Sequence, residues 1–139
     1  MTNTSTHQTI TAEAAKKLIA AAEKKAQELK KSMVIAVCDD SGNLKAFSRM
    51  DGAPLLSVQI AQDKAFTAIS FGIPTHQWFE FIKGDAPLLV GIVHTPRLVV
   101  LGGGYPIKVD GQVVGGIGVS GGHYSEDMQC AEAALQEWL

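Results

Sequence analysis

The fold of this chain is decided by residues 102–122, which read GGGYPIKVDGQVVGGIGVSGG. Asp110-Gly111 lies between two runs rich in β-branched residues, and this dipeptide favours the tight turn of a β-hairpin. Glycines inside a strand weaken it, and they mark a bulge or a place where a ligand or another backbone comes close. The stretch therefore predicts a hairpin whose glycine-rich face receives a ligand or another part of a protein.

The same glycines are not typical of a nucleotide-binding loop. A P-loop ends in Gly-Lys-Ser or Gly-Lys-Thr at the start of a helix, and the sequence contains neither tripeptide. Gly116, Gly118 and Gly121 have the bare spacing of a dinucleotide fingerprint, but they lie within a hairpin strand near the chain end. Because no room follows for the rest of a βαβ unit, we do not expect nucleotide binding here.

Length and composition indicate one globular domain. The chain has 139 residues, of which 46% are hydrophobic and 19% charged. We expect a flexible N-terminus over residues 1–9 and a single domain over residues 10–139. The net charge of -2 argues against nucleic acid or an anionic membrane as a partner.

Cysteine usage and the absence of targeting segments predict a cytoplasmic protein. Cys38 and Cys130 show no zinc-site spacing, so we expect two reduced structural thiols and no metal site. The first nine residues are polar and do not resemble a signal peptide, and no segment approaches 18 consecutive apolar residues.

Hydrophobic periodicity along the chain predicts an α+β fold. Residues 88–93 fit either a helix turn or a strand, and residues 76–83 form a short aromatic segment. Two hairpins imply antiparallel pairing, so we expect about five strands in one antiparallel sheet with helices packed on it. The expected helices cover 12–29, 54–71 and 124–139, and the expected strands outside the glycine-rich hairpin cover 33–38, 44–50 and 97–101.

Three ordered blocks resemble a known family. They are Asp51-Gly52-Ala53 followed by the 61–68 helix segment, Gly72-x-Pro74-Thr75, and the two glycine clusters of residues 102–121, after which come Asp127 and Ala131. Together these blocks resemble the GlcG/HbpS haem-binding-like family, which includes the C-terminal domain of PduO-type proteins. The resemblance covers roughly residues 10–137.

This resemblance implies a profilin-like fold and self-association into dimers or larger rings. It also implies haem or corrinoid-related binding in some members and haem degradation in a few. Haem is accordingly one candidate cofactor for this chain. Many members have no established activity, so the family alone does not define the chemistry.

Three histidines are candidates for ligand binding or catalysis. His76 lies next to Trp78 in the aromatic segment, which suits a flat ligand, although the same aromatics fit a core or a subunit contact. His94 lies in a turn. His123 precedes Tyr124 at a helix start, where the family commonly has a small hydroxyl residue, so this pair is an acid/base or ligating candidate. A solvated or structural histidine fits each position too.

Charged residues and backbone amides supply further candidates. Lys64 either pairs with Asp51 or Asp127 or binds a carboxylate, whereas Asp63 and Glu126 fit exposed helix charges. The helix start after Gly121-Gly122 favours an anion, which Arg97 would also bind. The candidate catalytic residues are His123, Tyr124, Lys64 and Asp51, and the candidate ligand-binding residues are His76, His94, Trp78, Arg97, Gly103, Gly104, Gly121 and Gly122.

Three functions remain open from the sequence. The first is an oligomeric small-ligand-binding protein, with haem as one ligand, held between the aromatic segment and the glycine-rich hairpin. The second is a small cofactor-free catabolic enzyme, a lyase, hydrolase or isomerase, which acts on a small acid or aromatic with His123 as acid/base. The third is an accessory subunit whose glycines serve close packing between subunits.

Overall fold

The computed structural model describes residues 2–138, which form five helices and four strands. Two 3-10 turns, Thr75–Gln77 and Ile92–His94, flank the short helices in the middle of the chain. In chain order the elements are α1 (Ala12–Glu28), β1 (Val34–Asp39), β2 (Leu44–Arg49), α2 (Ser57–Phe71), α3 (Trp78–Ile82), α4 (Ala86–Gly91), β3 (Gly104–Val109), β4 (Gln112–Ser120) and α5 (Tyr124–Trp138).

The four strands form one antiparallel sheet in the order β2-β1-β4-β3, with helices on both faces. Side chains of β1 alternate between the faces, as the two-residue period of a strand requires. Ile35 and Val37 pack into the larger core together with α1 and α5. Val34 and Ala36 pack on the opposite face against Ala61 of α2. The sheet is therefore the middle of three layers.

Helix α2 lies directly on the backbone of the glycine-rich hairpin. Gly104 and Gly118 are cross-strand partners, and a β-carbon on Gly118 would collide with the carbonyl oxygen of Ala61 in α2. A β-carbon on Gly116 would lie 2.6 Å from the carbonyl oxygen of Ala65. The predicted close approach is therefore made by a helix of the same chain.

The Asp110-Gly111 hairpin turn is confirmed. Asp110 and Gly111 have φ angles of 50° and 79°, as a two-residue turn matching the strand twist requires. Helix α2 ends as expected at Gly72, whose φ of 71° allows the left-handed conformation at the helix end.

The predicted strand over 97–101 is wrong, and the sheet has four strands rather than five among the described residues. Arg97 has a φ of 66°, which interrupts an extended backbone. The hydroxyl of Thr67 in α2 donates to the Arg97 carbonyl (2.8 Å) and accepts from the Val99 amide (3.0 Å). These backbone groups are thus satisfied by a helix side chain instead of a neighbouring strand.

The ambiguous segment is helical, since residues 88–93 fall in α4 and the 3-10 turn that follows it. The α+β class and the antiparallel sheet are confirmed, whereas the profilin-like description and the division at residue 10 stay predictions. Leu139, which the sequence places at the end of the last helix, lies outside the described residues, as does Met1. No helix in the described part of the chain has the length and apolar character needed to cross a membrane.

Candidate functional site

Lys64 and Asp127 form a buried ion pair between α2 and α5. The ammonium Nζ of Lys64 lies 2.8 Å from Asp127 Oδ2 and donates a second hydrogen bond to the Val119 carbonyl at 2.9 Å. The other Asp127 oxygen accepts the Gly122 amide at 3.0 Å. Of the two partners considered for Lys64, the structure selects Asp127, while Asp51 is exposed in the turn between β2 and α2.

Burial dominates the electrostatics of this pair. It lowers the pKa of the Lys64 ammonium and raises the pKa of the Asp127 carboxyl, and the attraction between the two charges offsets only part of each shift. Each partner is only 2% exposed. The pair therefore joins α2 to the start of α5 out of reach of solvent, and a catalytic role for Lys64 stays a prediction.

The four glycines predicted to bind a ligand pack against atoms of this chain. Gly103, with a φ of 124°, covers Lys64 Nζ, which would lie 2.9 Å from an added β-carbon. Gly104 is covered by the Lys64 carbonyl and Thr75. Gly121 approaches the Ser32 carbonyl, and Gly122 approaches the carboxylate of Glu126. Their missing side chains are explained by internal packing.

The predicted anion site at the start of α5 is filled by the protein's own carboxylates. Glu126 Oε1 accepts the His123 amide at 3.0 Å, and Asp127 Oδ1 accepts the Gly122 amide. Glu126 is therefore a helix cap rather than a solvated charge. The first turn of α5 already carries the negative charge that its dipole favours.

His123 and Tyr124 form an exposed ring pair at the start of α5. Their ring centroids are 4.1 Å apart. The Ser125 amide donates to His123 Nδ1 at 3.2 Å, and the Ser125 hydroxyl lies 2.8 Å from the same nitrogen. Because a backbone amide can only donate, Nδ1 is the acceptor, and a neutral His123 carries its hydrogen on Nε2.

His76 and Trp78 hold two ring nitrogens that are buried without a hydrogen-bond partner among residues 2–138, namely His76 Nδ1 and Trp78 Nε1. The His76 ring faces Tyr105, with ring centroids 5.7 Å apart. The Trp78 indole meets Phe71 edge to face at 4.8 Å and Phe81 at 6.4 Å. Trp78 and Ile82 of this aromatic segment are therefore buried, whereas Phe79 and Phe81 are exposed.

The exposed side chains of α3, of α4 and of the 3-10 turn after α4 are unusually apolar. Val90 and Val93 are 70% and 66% exposed, and His94 lies beside them with its ring in solvent. We use the term α3–α4 surface for the exposed apolar side chains of Phe79, Phe81, Leu88, Leu89, Val90 and Val93.

Arg97 is held by Asp63 and Phe66, neither of which the sequence placed at the candidate site. Its Nε donates to Asp63 Oδ1 at 2.9 Å, and its guanidinium carbon lies 3.9 Å from the centroid of the Phe66 ring. Asp63 is therefore a largely buried partner and not the exposed helix charge that we expected. The one available signal was spacing, because Asp63, Phe66 and Thr67 fall on one side of α2.

The structure does not bring the predicted residues into one cleft. Lys64 is buried, and Asp51 is exposed in the turn before α2. His94 is exposed in the 3-10 turn after α4, and His123 lies at the start of α5. In the described part of the chain no three His, Cys, Asp or Glu side chains converge on a common point where a metal ion would bind.

Fold and site together define a class of protein: a three-layer α+β domain with helix α2 seated on a glycine-rich hairpin, a buried Lys–Asp pair and an apolar α3–α4 surface. The family of HbpS-like haem-degrading proteins matches residues 10–136. The chain belongs to this family, which confirms the resemblance drawn from the three sequence blocks.

Individual relatives agree with this assignment. Protein GlcG of Escherichia coli K12 is 40% identical over 103 residues, which cover 74% of this chain and 75% of that protein. The crystal structure of Klebsiella pneumoniae protein ORFY is similar with a TM-score of 0.90 and 35% identity, over 98% of this chain and 94% of that one. The crystal structure of a PduOC:heme complex is similar with a TM-score of 0.85 and 31% identity, over 92% of this chain and 94% of that one.

Proposed function

We propose that this protein is an oligomeric small-ligand-binding protein whose ligand is haem, bound at the α3–α4 surface. The observation that carries the proposal is the exposed His94 within an apolar surface, in a chain that shares its fold with a domain solved in complex with haem. Haem requires an apolar slot and at least one axial ligand, and the α3–α4 surface with His94 offers both kinds of group.

The other two histidines fit an axial role less well. His76 Nδ1 is enclosed by protein atoms. His123 packs its ring against Tyr124, and its Nδ1 is already occupied by the Ser125 amide and hydroxyl, so iron at that nitrogen would have to displace both hydrogen bonds. In residues 2–138 His94 has no hydrogen bond or ion pair that would have to be broken first, and we assign it the ligand role.

Self-association follows from the same surface. Exposed apolar patches of this kind on a monomer usually mark a binding site or an interface. We propose that a second copy of the chain covers much of the α3–α4 surface and completes the apolar slot around His94. Covering Val90, Val93 and the exposed Phe79 and Phe81 would remove apolar area from water, which is the main driving force of association.

The proposed compartment is the cytoplasm, and we propose no nucleic acid or membrane partner. The net charge of -2 supports the second point. Cys38 and Cys130 support the first, since both are buried and unpaired. Burial raises the pKa of each thiol to about 11, which keeps them unreactive in a reducing compartment.

A haemin titration tests the proposal. Wild type, His76→Ala, His94→Ala and His123→Ala are titrated with haemin, and visible absorption is recorded with sedimentation velocity on the same samples. We expect a saturable, shifted Soret band in wild type, in His76→Ala and in His123→Ala, and its loss in His94→Ala with the oligomer intact. A wild-type spectrum of free haemin, or an unaltered band in His94→Ala, would overturn the proposal.

The geometry of His123 favours a second candidate, the cofactor-free catabolic enzyme. A neutral imidazole that is oriented through Nδ1 and donates from Nε2 can polarise a substrate carbonyl, and Tyr124 lies in ring contact with it. In this role the pair would act on a small acid or an aromatic compound. A screen of such substrates supports it only if turnover is lost in His123→Ala while the fold and oligomer persist.

A further inference from the structure

The two edge strands of the sheet, β3 and β2, differ in how their outer backbone groups are satisfied. On β3, the Thr75 hydroxyl accepts a hydrogen bond from the Gly104 amide at 2.9 Å. The Trp138 indole donates to the Lys108 carbonyl at 3.1 Å, and Pro106 between these two positions has no N–H. The β3 edge is therefore closed to a further strand.

The β2 edge is open. Strand β2 pairs with β1 alone, and in the part of the chain that the structure describes no group outside β1 hydrogen-bonds to the β2 backbone. The Met50 amide donates to the Met33 carbonyl, and antiparallel pairing alternates from that bonded pair. The backbone groups of Ser48 therefore point towards β1. Those of Phe47 and Arg49 point outwards, where an added strand would bond to them.

The side chains along this edge are complementary to a second copy of the same strand. Lys45, Arg49 and Asp51 are exposed, and Phe47 is 38% exposed. An added antiparallel strand opposes outward-pointing residues to each other, so the possible registers differ by two residues. The register that pairs Phe47 with itself places Lys45 opposite Arg49 twice, which is destabilising. The next register pairs Ser48 with itself. It places Lys45 opposite Asp51 and Phe47 opposite Arg49.

We propose that β2 pairs antiparallel with the β2 strand of a second copy, about a two-fold axis at Ser48, so that the two sheets become continuous. Phe47 and Arg49 both lie on the α2 face of the sheet, so a guanidinium would meet a ring of the other copy in a cation–π contact. Every pair occurs twice in such an isologous contact. The contact requires neither haem nor the α3–α4 surface, so its test is separate from the haemin titration.

Cysteine cross-linking tests the pairing and its register. Ser48→Cys and Ala46→Cys are oxidised mildly and compared on non-reducing gels with wild type, whose Cys38 and Cys130 are buried. We expect a disulfide-linked dimer of Ser48→Cys, because residues opposed in a non-hydrogen-bonded pair lie about 4.5 Å apart. The two copies of Ala46→Cys would be four residues out of register, about 13 Å apart, and should not cross-link. No cross-link in folded Ser48→Cys, or an equal cross-link in Ala46→Cys, would overturn the proposal.

A charge exchange tests the same contact without an added cysteine. Lys45→Glu should weaken the dimer about tenfold, because a carboxylate then faces Asp51 at two places. Lys45→Glu/Asp51→Lys restores opposite charges and should recover most of the affinity. All variants carry Val93→Glu, so that a contact through the α3–α4 surface does not obscure the result, and sedimentation velocity measures the dimer.

Lys108→Glu is the matched control for Lys45→Glu, because it reverses an exposed lysine on the closed β3 edge. In the same Val93→Glu background it should dimerise like the unmodified edge. The proposal is overturned if folded Lys45→Glu dimerises normally, if the double variant recovers nothing, or if Lys108→Glu weakens the dimer equally.

Discussion

The interface between α2 and the glycine-rich hairpin and the α3–α4 surface contrast in almost every property. At the interface, the backbone of α2 lies directly against the backbone of the hairpin. The buried Lys64–Asp127 pair makes further hydrogen bonds to the Val119 carbonyl and the Gly122 amide. On the α3–α4 surface, aromatic and aliphatic side chains face solvent, and His94 has no partner among residues 2–138. The glycine-rich stretch is therefore explained by packing within the domain, whereas the exposed apolar surface is where we propose that a ligand and a second copy bind.

The strongest test of this contrast is a side chain placed on Gly118. We expect Gly118→Val to destabilise the domain by more than about 4 kcal/mol, because its β-carbon would occupy the position of the Ala61 carbonyl. Urea unfolding measures the change. The matched control is Gly84→Ala, where nothing lies within 4 Å, and its stability should stay within about 0.5 kcal/mol of wild type.

A stable, folded Gly118→Val variant would mean that α2 can move away from the sheet. The hairpin glycines would then be available for a ligand or a subunit contact, as the sequence first suggested.

The buried pair provides the second test. Lys64→Met leaves the Asp127 carboxylate buried without its cation, and we expect a loss of about 3 kcal/mol at pH 7. Chemical unfolding of Lys64→Met and of the double variant Lys64→Met/Asp127→Leu measures it. The double variant should recover much of the loss, because neither charge is then buried.

The pH dependence of this loss has a defined sign. Burial raises the pKa of Asp127 in the folded protein, so the folded state binds a proton more readily than the unfolded state. Stability of Lys64→Met should therefore increase relative to wild type as the pH falls from 7 towards about 4, the ordinary Asp pKa. If the stability difference between Lys64→Met and wild type did not depend on pH, Asp127 would have to become solvated once Lys64 is removed.

Local signals in the sequence predicted much of the fold. Asp110-Gly111 defined the hairpin turn, and Gly72 defined the end of α2, because both depend on backbone conformations that few residues adopt. The strand over 97–101 could not be rejected in this way. Its backbone is held by Thr67, 30 residues earlier in the chain, and no local pattern reveals that hydrogen bond.

The candidate site was less predictable than the fold for the same physical reason. Lys64 and Asp127 are 63 residues apart, and Arg97 and Asp63 are 34 apart, so each pairing exists only once the layers have packed. Exposure is also a property of the whole fold. The apolar run around Val90 has the composition of a core segment, and only the structure shows that it faces solvent.

A substitution on the α3–α4 surface is expected to have the smallest effect on the stability of the folded chain. Val93→Glu places a charge at a solvent-exposed position, so the folded chain should lose no more than about 0.5 kcal/mol. The same charge would have to be desolvated if a second copy covered this surface, which opposes association. Sedimentation velocity should therefore show a smaller assembly than wild type, while circular dichroism stays unchanged.

Lys16→Glu on α1 is the matched control for Val93→Glu, because it introduces the same side chain at an exposed position across the sheet. It should assemble like wild type. If both variants dissociate, net charge controls assembly; if neither does, the interface lies elsewhere. Dissociation of Val93→Glu alone would place the contact between copies next to His94, and the variant's Soret band would then report whether haem needs the second copy.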